Sequence, residues 1–199
     1  MRISGGKWRG RTVRVPDSQV RPTQDMVRQA LFSMLIERVA GAAFLDLFAG
    51  SGVVGLDAAS RGAAQVCWVE SDRGVGRVLR ANVAALCGTP EAPAADPCDC
   101  EASIVAADAF RFLESSKYPA FDVVFADPPY DRIRELGWGA RLLAAIAPVL
   151  KPGGVCIIEH CVRDAVRETA GWVSSRRKTY GETELSFFER QSFEHADSE

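Results

Sequence analysis

The chain has 199 residues, which is enough for one domain with an appendage. Hydrophobic residues make up 47% of it and charged residues 25%, which is typical of globular proteins rather than disordered ones. No apolar run approaches the ~20 residues of a membrane-spanning helix, and the first residues lack the apolar stretch of a signal peptide. We therefore expect a cytoplasmic protein with no membrane partner.

The six cysteines fit a reducing compartment. Cys67 and Cys156 lie inside apolar runs and are expected to be core residues. Cys98 and Cys100 form a C-x-C pair, but no histidine lies near them to complete a zinc-like set. The sequence therefore predicts no metal site.

Charge is distributed unevenly along the chain. Residues 1–28 hold seven basic and two acidic side chains, a net charge of +5, within a chain whose net charge is −2. A basic segment on an acidic body suggests an anionic partner, although a solvated hairpin surface explains the same pattern equally well.

The first 40 residues are expected to form a small unit of their own. Alternating apolar residues and the turn signals Gly5-Gly6 and Gly10 predict a β-hairpin or a pair of short strands over 1–16. Such a short sheet is marginal alone, so it should dock on the body or on the substrate. A helix is predicted to start at Thr23 and end near Gly41.

After residue 41 the pattern alternates between strands and helices. The predicted strands are 43–48, 65–70, 103–106, 121–126, 155–159, 173–178 and 184–188. The predicted helices are 53–61, 76–86, 110–114 and 136–150, with a surface loop at 88–100 and a turn at 151–154. This alternation predicts an α/β fold, a parallel sheet with helices on both faces and right-handed crossovers.

Two distinctive loops follow predicted strands. Residues 50–55 fit G-x-G-x-x-G between a strand and a helix, which is the pattern of a nucleotide-binding loop. Residues 127–130, Asp-Pro-Pro-Tyr, end a buried strand and form a stiff corner, because proline fixes φ and lacks an N–H. The Asp127 carboxylate and the Pro128 carbonyl are then fixed acceptors beside a flat ring, which suits a planar amine. If the two strands are neighbours where the strand order reverses, both loops share one crevice.

The glycine loop alone does not distinguish a nicotinamide enzyme from one that uses S-adenosylmethionine (SAM). Asp46, just before the loop, would oppose a pyrophosphate but suits the ammonium and sulfonium of SAM. Glu70 could hold a ribose, and Asp108 could read an adenine amine, cap the next helix, or do both. Hydride transfer has no use for the amine-accepting corner. SAM is therefore the predicted cofactor.

Residues 46–52, Glu70, Asp108 and residues 127–130 resemble the signature set of class I SAM-dependent methyltransferases that act on exocyclic amines. Residues 3–11 and 21–32 are similar to the opening of the RsmD family, whose members methylate guanine N2 in bacterial 16S rRNA. The resemblance implies a Rossmann-like fold with a mostly parallel seven-stranded sheet, helices on both faces, and an N-terminal β-hairpin and helix.

The resemblance also implies an RNA-facing appendage at 1–40 and a methyltransferase domain at 41–190, and the polar residues 191–199 are expected to form a frayed tail. The implied substrate is guanine 966 of 16S rRNA in a small ribosomal subunit or assembly intermediate. We expect a monomer, because the sequence shows no obvious sticky face. The insertion at 88–100 is not part of the family pattern.

The resemblance also implies a role for each position that matches the family motifs. The expected catalytic residues, which hold and stack on the base, are Asp127, Pro128, Pro129 and Tyr130. The expected cofactor-binding residues are Asp46, Phe48, Gly50, Ser51, Gly52, Glu70, Ser71, Ala107, Asp108 and Asp127. The expected contacts to RNA phosphates are Lys7, Arg9, Arg11, Arg21 and Arg28.

Several alternatives stay open on the sequence. The corner also suits methylation of DNA adenine N6 or of a protein glutamine, and a nicotinamide oxidoreductase or a non-catalytic RNA-binding module are further rivals. Trp8 could stack on RNA or anchor the hairpin by packing. His160 could line the crevice or be a structural histidine, and the second role is favoured.

Overall fold

The computed structural model of the chain describes residues 1–15, 23–89, 94–97, 99–115, 121–164, 166 and 169–191, the side chains of Thr23, Gln24 and Tyr130 excepted. The predictions for Arg21, Cys98 and residues 192–199 lie outside these ranges, as does stacking by the Tyr130 ring. No helix in the described ranges is long and apolar enough to cross a membrane.

The described residues form a seven-stranded sheet with the order β3-β2-β1-β4-β5-β7-β6. The strands are β1 (Ala43–Leu47), β2 (Gln65–Glu70), β3 (Glu101–Ala106), β4 (Phe121–Ala126), β5 (Leu150–Cys161), β6 (Trp172–Tyr180) and β7 (Thr183–Arg190). Strands β1 to β5 pair in parallel, whereas β7 is antiparallel to both β5 and β6. The predicted mostly parallel α/β sheet is therefore confirmed.

Helices cover both faces of the sheet. They are α1 (Thr23–Met34), α2 (Val53–Ser60), α3 (Arg73–Cys87), α4 (Ala109–Leu113), α5 (Tyr130–Ile133) and α6 (Trp138–Ile146). One apolar core joins α1, α2 and α3 to one face of the sheet, and a second joins α4 and α6 to the other face. The two cores bury β1 and β4 from both sides, which is why both strands are almost wholly apolar.

Several element boundaries differ from the sequence predictions, three of them by four residues or more. Helix α1 ends at Met34, and turns rather than helix lead to Gly41. The predicted helix over 136–150 is shorter, because α6 starts at Trp138 and β5 already begins at Leu150. The predicted turn at 151–154 lies inside β5, where a register shift in its pairing with β4 accommodates the Pro-Gly-Gly sequence.

The N-terminal segment, residues 1–15, does not form two regular strands. One antiparallel bridge joins Arg2 to Thr12, and flanking backbone hydrogen bonds extend the pairing by a residue or two. Ile3, Trp8 and Val13 are buried in the core that α1, α2 and α3 share. The segment is held by burial of these side chains, because one bridge alone is too little for independent stability.

Candidate active site

A cleft of about 490 Å³ opens at the carboxyl ends of β1, β2, β4 and β5. Strand β1 pairs with β2 on one side and β4 on the other, so the strand order reverses there. The predicted shared crevice is confirmed, because the glycine loop after β1 and the corner after β4 both line this cleft. Its lining includes Asp46, Phe48, Ala49, Gly50, Ser51, Glu70, Ser71, Asp72, Asp127, Pro128, Pro129 and Glu159.

The loop after β1 makes a sharp turn that its sequence allows. Phe48 has a φ of 58°, and among the described residues it is the one non-glycine with positive φ. Gly52 precedes α2 with a φ of 79°, and a Cβ there would lie 2.3 Å from Leu79 Cδ1. The Phe48 ring packs 6.1 Å from the ring of Trp138, centroid to centroid. The turn brings the loop into the lining of the cleft.

Asp46 is the buried acid of the site, with 1% of its surface exposed. Its Oδ2 accepts the backbone N–H of Gly55 at 2.9 Å. Burial raises the pKa of Asp46 well above its ordinary value; the Gly55 hydrogen bond opposes the rise, and Asp127 and Glu70 add to it. A cation in the cleft would stabilise the ionised form of this carboxylate.

Glu70 holds the loop in place from the end of β2. Its Oε2 accepts the N–H of Gly50 at 2.9 Å, and its Oε1 accepts the N–H of Asp72 at 2.8 Å. Glu70 therefore couples the glycine loop to the start of α3 while still lining the cleft.

Residues 127–130, which we call the acceptor corner, lie directly after β4, as predicted. Asp127 is half-buried, Pro128 is buried, and Pro129 is exposed at the start of α5. The backbone N–H of Asp127 donates to the Leu47 carbonyl at 3.4 Å, which ties the corner to β1. Among the cleft's acids, Asp127 acts electrostatically on Asp46. The corner and the loop are thus two parts of one acidic site.

Three predicted cofactor residues, Gly52, Ala107 and Asp108, do not belong to the lining of this cleft. Asp108 instead caps a helix. Its Oδ1 accepts the N–H groups of Phe110 and Arg111 at 3.0 and 3.2 Å, so its role as the N-cap of α4 is confirmed. Ala107 beside it is half-buried and also lies outside the lining. Their contact with adenine stays a prediction.

Arg28 is buried and paired within the chain. It is 4% exposed, and its guanidinium is bonded to Asp57, to Asp25 and to the Arg2 carbonyl. Its burial and these partners do not favour contact with the phosphate of a polymer, and the RNA contact of Arg28 stays a prediction. Arg28 also lines the cleft.

Four residues that the sequence pattern did not place at the cleft complete its wall: Met1, Val15, Arg28 and Leu31. Nothing in local spacing places these residues near the glycine loop. One signal was available: Asp57 is an acid in an otherwise apolar helix, and such a residue needs a buried partner.

Two other predicted RNA contacts are engaged within the chain. Lys7 Nζ lies 2.8 Å from Asp96 Oδ1, and Arg11 Nη2 lies 3.7 Å from Asp96 Oδ2. Trp8 is 1% exposed and donates to the Asp96 carbonyl at 2.9 Å, so it is a packing anchor. The described part of the 88–100 insertion therefore docks on the N-terminal segment. Arg9 is exposed.

His160 is a structural residue, as favoured. It is fully buried in β5, with Nε2 2.8 Å from Ser186 Oγ and Nδ1 2.9 Å from the Cys161 carbonyl. Both ring nitrogens are engaged away from the cleft.

The charged side chains that line the cleft are mostly acidic. Five of them are acidic, and Arg28 is the one basic side chain among the described lining residues: Asp46, Glu70, Asp72, Asp127 and Glu159 against Arg28. A pyrophosphate would be repelled there, whereas a ligand with two cationic groups and one carboxylate would fit. The residues present therefore fit SAM.

The fold and the cleft define this chain as a class I methyltransferase. The chain belongs to the family described as "Conserved hypothetical protein 95", whose model matches residues 1–189. The predicted membership of the RsmD family is thereby confirmed.

Named relatives cover nearly the whole chain. The chain is 33% identical to Ribosomal RNA small subunit methyltransferase D of Escherichia coli K12, over 100% of this chain and 94% of that protein. It is also 33% identical to the protein of the same name from Haemophilus influenzae, over 91% and 89%. Both relatives are named as rRNA methyltransferases.

Solved structures give the same fold. A hypothetical protein from Thermus thermophilus superposes with a TM-score of 0.75 at 34% identity, over 95% of this chain and 99% of that one. SMU.776, a putative methyltransferase complexed with S-adenosylhomocysteine (SAH), superposes with a TM-score of 0.62 at 14% identity, over 85% and 50%, and shares the fold alone. Class I methyltransferases use SAM, in agreement with the acidic cleft.

Proposed function

We propose that this enzyme transfers the methyl group of SAM to the exocyclic N2 of guanine 966 in 16S rRNA. The observation that carries the proposal is the acceptor corner, residues 127–130. It lies beside the acidic cleft, where β1 and β4 are neighbours and the strand order reverses. The names of the E. coli and H. influenzae relatives support rRNA as the methylated polymer. The resemblance of residues 3–11 and 21–32 to the RsmD family supports N2 as the methylated atom and guanine 966 as the nucleotide. The enzyme acts as a monomer in the bacterial cytoplasm, on a small subunit or its assembly intermediate.

Different residues in and beside the cleft would bind different parts of SAM. The carboxylates of Asp46 and Asp127 face the cationic methionine end, where burial strengthens charge interactions. Glu70 and Ser71 hold the ribose, and Ala107 and Asp108 the adenine. Arg28, as the basic side chain of the described lining, offsets part of the negative charge of the cleft.

Bound SAM supplies an electrophilic methyl carbon, and the protein's task is to present the amine to it. The N2 lone pair of guanine is delocalised into the ring and is a poor nucleophile. The Asp127 carboxylate and the Pro128 carbonyl accept its two hydrogens and turn the lone pair toward the cofactor. Positioning of this kind lowers the activation free energy of methyl transfer by several kcal/mol. Formation of the N–C bond would be matched by breaking of the methyl–sulfur bond and loss of neutral SAH. The now acidic amine then gives its proton to water, so a base with a shifted pKa is not required.

The target base must leave its stack to reach the ends of the strands. Specific RNA readers favour loops and unstacked bases, which suits a site at the bottom of an open cleft. The exposed basic side chains of the N-terminal segment position the RNA through its phosphates.

The test is transfer of labelled methyl from SAM to small ribosomal subunits purified from a strain that lacks this gene. We expect label in N2-methylguanosine at one 16S position, identified by nucleoside analysis and primer extension. Naked 16S rRNA, tested in parallel, distinguishes free RNA from an assembled particle as substrate. Label in DNA or protein with none in rRNA would overturn the proposal in favour of adenine N6 or glutamine methylation.

A further inference from the structure

A second groove of about 490 Å³ lies beside the cleft, between α3 and the edge strand β3. It shares Glu70 and Asp72 with the cleft, so it opens next to the cofactor site. Its wall carries three arginines of α3: Arg73, Arg77 and Arg80.

The three arginines form one exposed basic face, which we call the α3 arginine face. Their spacing of four and three residues puts them on one side of the helix, and all three are exposed. In the described part of the chain none of them forms an ion pair, and Arg80 donates only to the Gly76 carbonyl at 3.3 Å.

The acids beside this face are engaged by the backbone. Glu70 accepts N–H groups at both carboxylate oxygens, and Asp72 Oδ1 accepts the N–H of Val75 at 2.8 Å as the N-cap of α3. Like charges at these spacings destabilise a helix by about 0.2–0.5 kcal/mol per pair. An anionic partner would relieve that repulsion.

The N-terminal segment meets α3 at the buried residue Asn82, on the side of the helix that faces the rest of the protein. The backbone of Arg14 is bonded twice to Asn82 of α3, N–H to Oδ1 at 3.0 Å and Nδ2 to the carbonyl at 2.8 Å. Asn82 Nδ2 also donates to the Ser51 carbonyl in the glycine loop at 2.9 Å. The N-terminal segment therefore meets α3 right beside the cofactor loop.

We propose that Arg73, Arg77 and Arg80 bind the phosphate backbone of the rRNA substrate on the cofactor side of the cleft. The seven helical steps from Arg73 to Arg80 rise about 10 Å along the helix axis, which matches roughly three phosphate steps of a helical strand. The RNA then lies across the cleft mouth, between the N-terminal segment and the α3 arginine face. This inference rests on the proposed function and extends it with a surface.

The test compares two triple variants with the wild-type enzyme. In R73Q/R77Q/R80Q the α3 arginine face is neutralised, and glutamine keeps the helix propensity. Its matched control, R176Q/R177Q/K178Q, removes three exposed basic residues from β6 at the opposite edge of the sheet. Binding of in vitro transcribed 16S rRNA is measured from 50 to 200 mM salt, together with SAH binding and the melting temperature.

For the α3 variant we expect rRNA affinity to fall at least about tenfold at the lower salt concentrations. The slope of log K against log salt should become shallower by about 2, from three lost contacts to a single strand. SAH affinity and melting temperature should stay those of the wild type, and the β6 control should bind rRNA within about twofold of it.

An α3 variant that binds rRNA as tightly as the wild type, or a β6 control that loses as much, would overturn the inference. In either case the wild type would still methylate rRNA, so the proposed function would stand. A wild-type enzyme that neither binds nor methylates 16S rRNA, whether free or within the small ribosomal subunit, would overturn both.

Discussion

Arg28 and Asp57 form a buried ion pair in which the arginine Nε lies 2.5 Å from the carboxylate Oδ2. Asp57 also binds the guanidinium of Arg61 and accepts from the backbone N–H and the hydroxyl of Ser4. The pair joins α1 to α2, the helix that follows the glycine loop. It therefore couples the N-terminal segment and one wall of the cleft to the cofactor site.

Removing one partner of this pair should be costly, because the other charge would be left buried. We expect Asp57→Ala to lower the free energy of unfolding by about 3–5 kcal/mol. Asp25→Ala, which removes the solvent-exposed carboxylate that also binds Arg28, should cost less than about 1 kcal/mol. Urea unfolding of the two variants checks this. Equal losses would show that the burial of Asp57 does not govern its contribution.

Gly6 allows the N-terminal segment to dock on α2. Its φ is 73°, and a Cβ there would lie 1.9 Å from the Ser60 carbonyl oxygen, which accepts the Lys7 N–H at 2.7 Å. Gly6→Ala should therefore destabilise the protein by at least about 2 kcal/mol and weaken SAH binding, because the cleft loses a wall.

Gly10 offers the matched control for Gly6. Its φ is 86°, but a Cβ there would meet no atom within 4 Å. Gly10→Ala should cost only the strain of a left-handed residue, about 1–2 kcal/mol, and leave SAH affinity unchanged. Urea unfolding and SAH titration separate the clash from the strain, and identical results for the two variants would contradict the docking role.

Asp46 should make stability depend on pH. Its pKa in the folded state is raised by burial, so the folded state disfavours ionisation relative to the unfolded chain. Its contribution to the free energy of unfolding therefore falls as pH rises from about 4, the ordinary aspartate value, to the folded pKa. Asp46→Asn removes this loss, and its melting temperature should exceed that of the wild type by more at pH 7 than at pH 4.

The same substitution should act oppositely on the cofactor. SAM brings two cationic groups, which favour the ionised Asp46, so Asp46→Asn should weaken SAM binding at pH 7 by about tenfold or more. Calorimetric titration measures it. A variant that is both more stable and equally tight for SAM would show that Asp46 faces no cation.

Asp127 should matter for methyl transfer more than for cofactor binding. We expect Asp127→Ala to lower kcat on 16S rRNA about 10²–10³-fold, the loss seen when a positioned polar contact to a reacting group is removed. SAH affinity should change much less. Glu135→Ala, in the loop after α5, removes an exposed acid and should leave kcat unchanged. Near-wild-type turnover by Asp127→Ala would refute the role of the acceptor corner.

Asp96 should restrain the N-terminal segment from binding RNA. Its carboxylate is shared by Lys7 and Arg11, and the three side chains are each about 40% exposed. Because exposed ion pairs are weak, Asp96→Asn should strengthen rRNA binding only about two- to fivefold, and only at low salt. Filter binding at two salt concentrations tests this, and unchanged affinity would mean that RNA does not use these two basic residues.

The sequence predicted the strand and helix alternation because each signal is local. The buried runs of β1 and β4, the turn at Gly52 and the cap at Asp108 all lie within a few residues of the structure they specify. Boundaries failed where tertiary pairing overrides local propensity. In β5 a bulge carries the strand through a Pro-Gly-Gly sequence that reads as a turn.

By itself the sequence determined the class of the fold, the two loops that meet in the cleft and the family, because spacing and residue type encode them. Only the tertiary structure decided which charges face one another. Arg28 finds Asp57 across 29 positions, and Trp8 finds the Asp96 carbonyl across 88. The pairing and burial of charged groups depend on distances in space, which the local sequence pattern does not encode. The basic residues near the N-terminus therefore fall into three groups that the sequence could not separate: a buried arginine, a lysine and an arginine paired with one aspartate, and residues that are exposed.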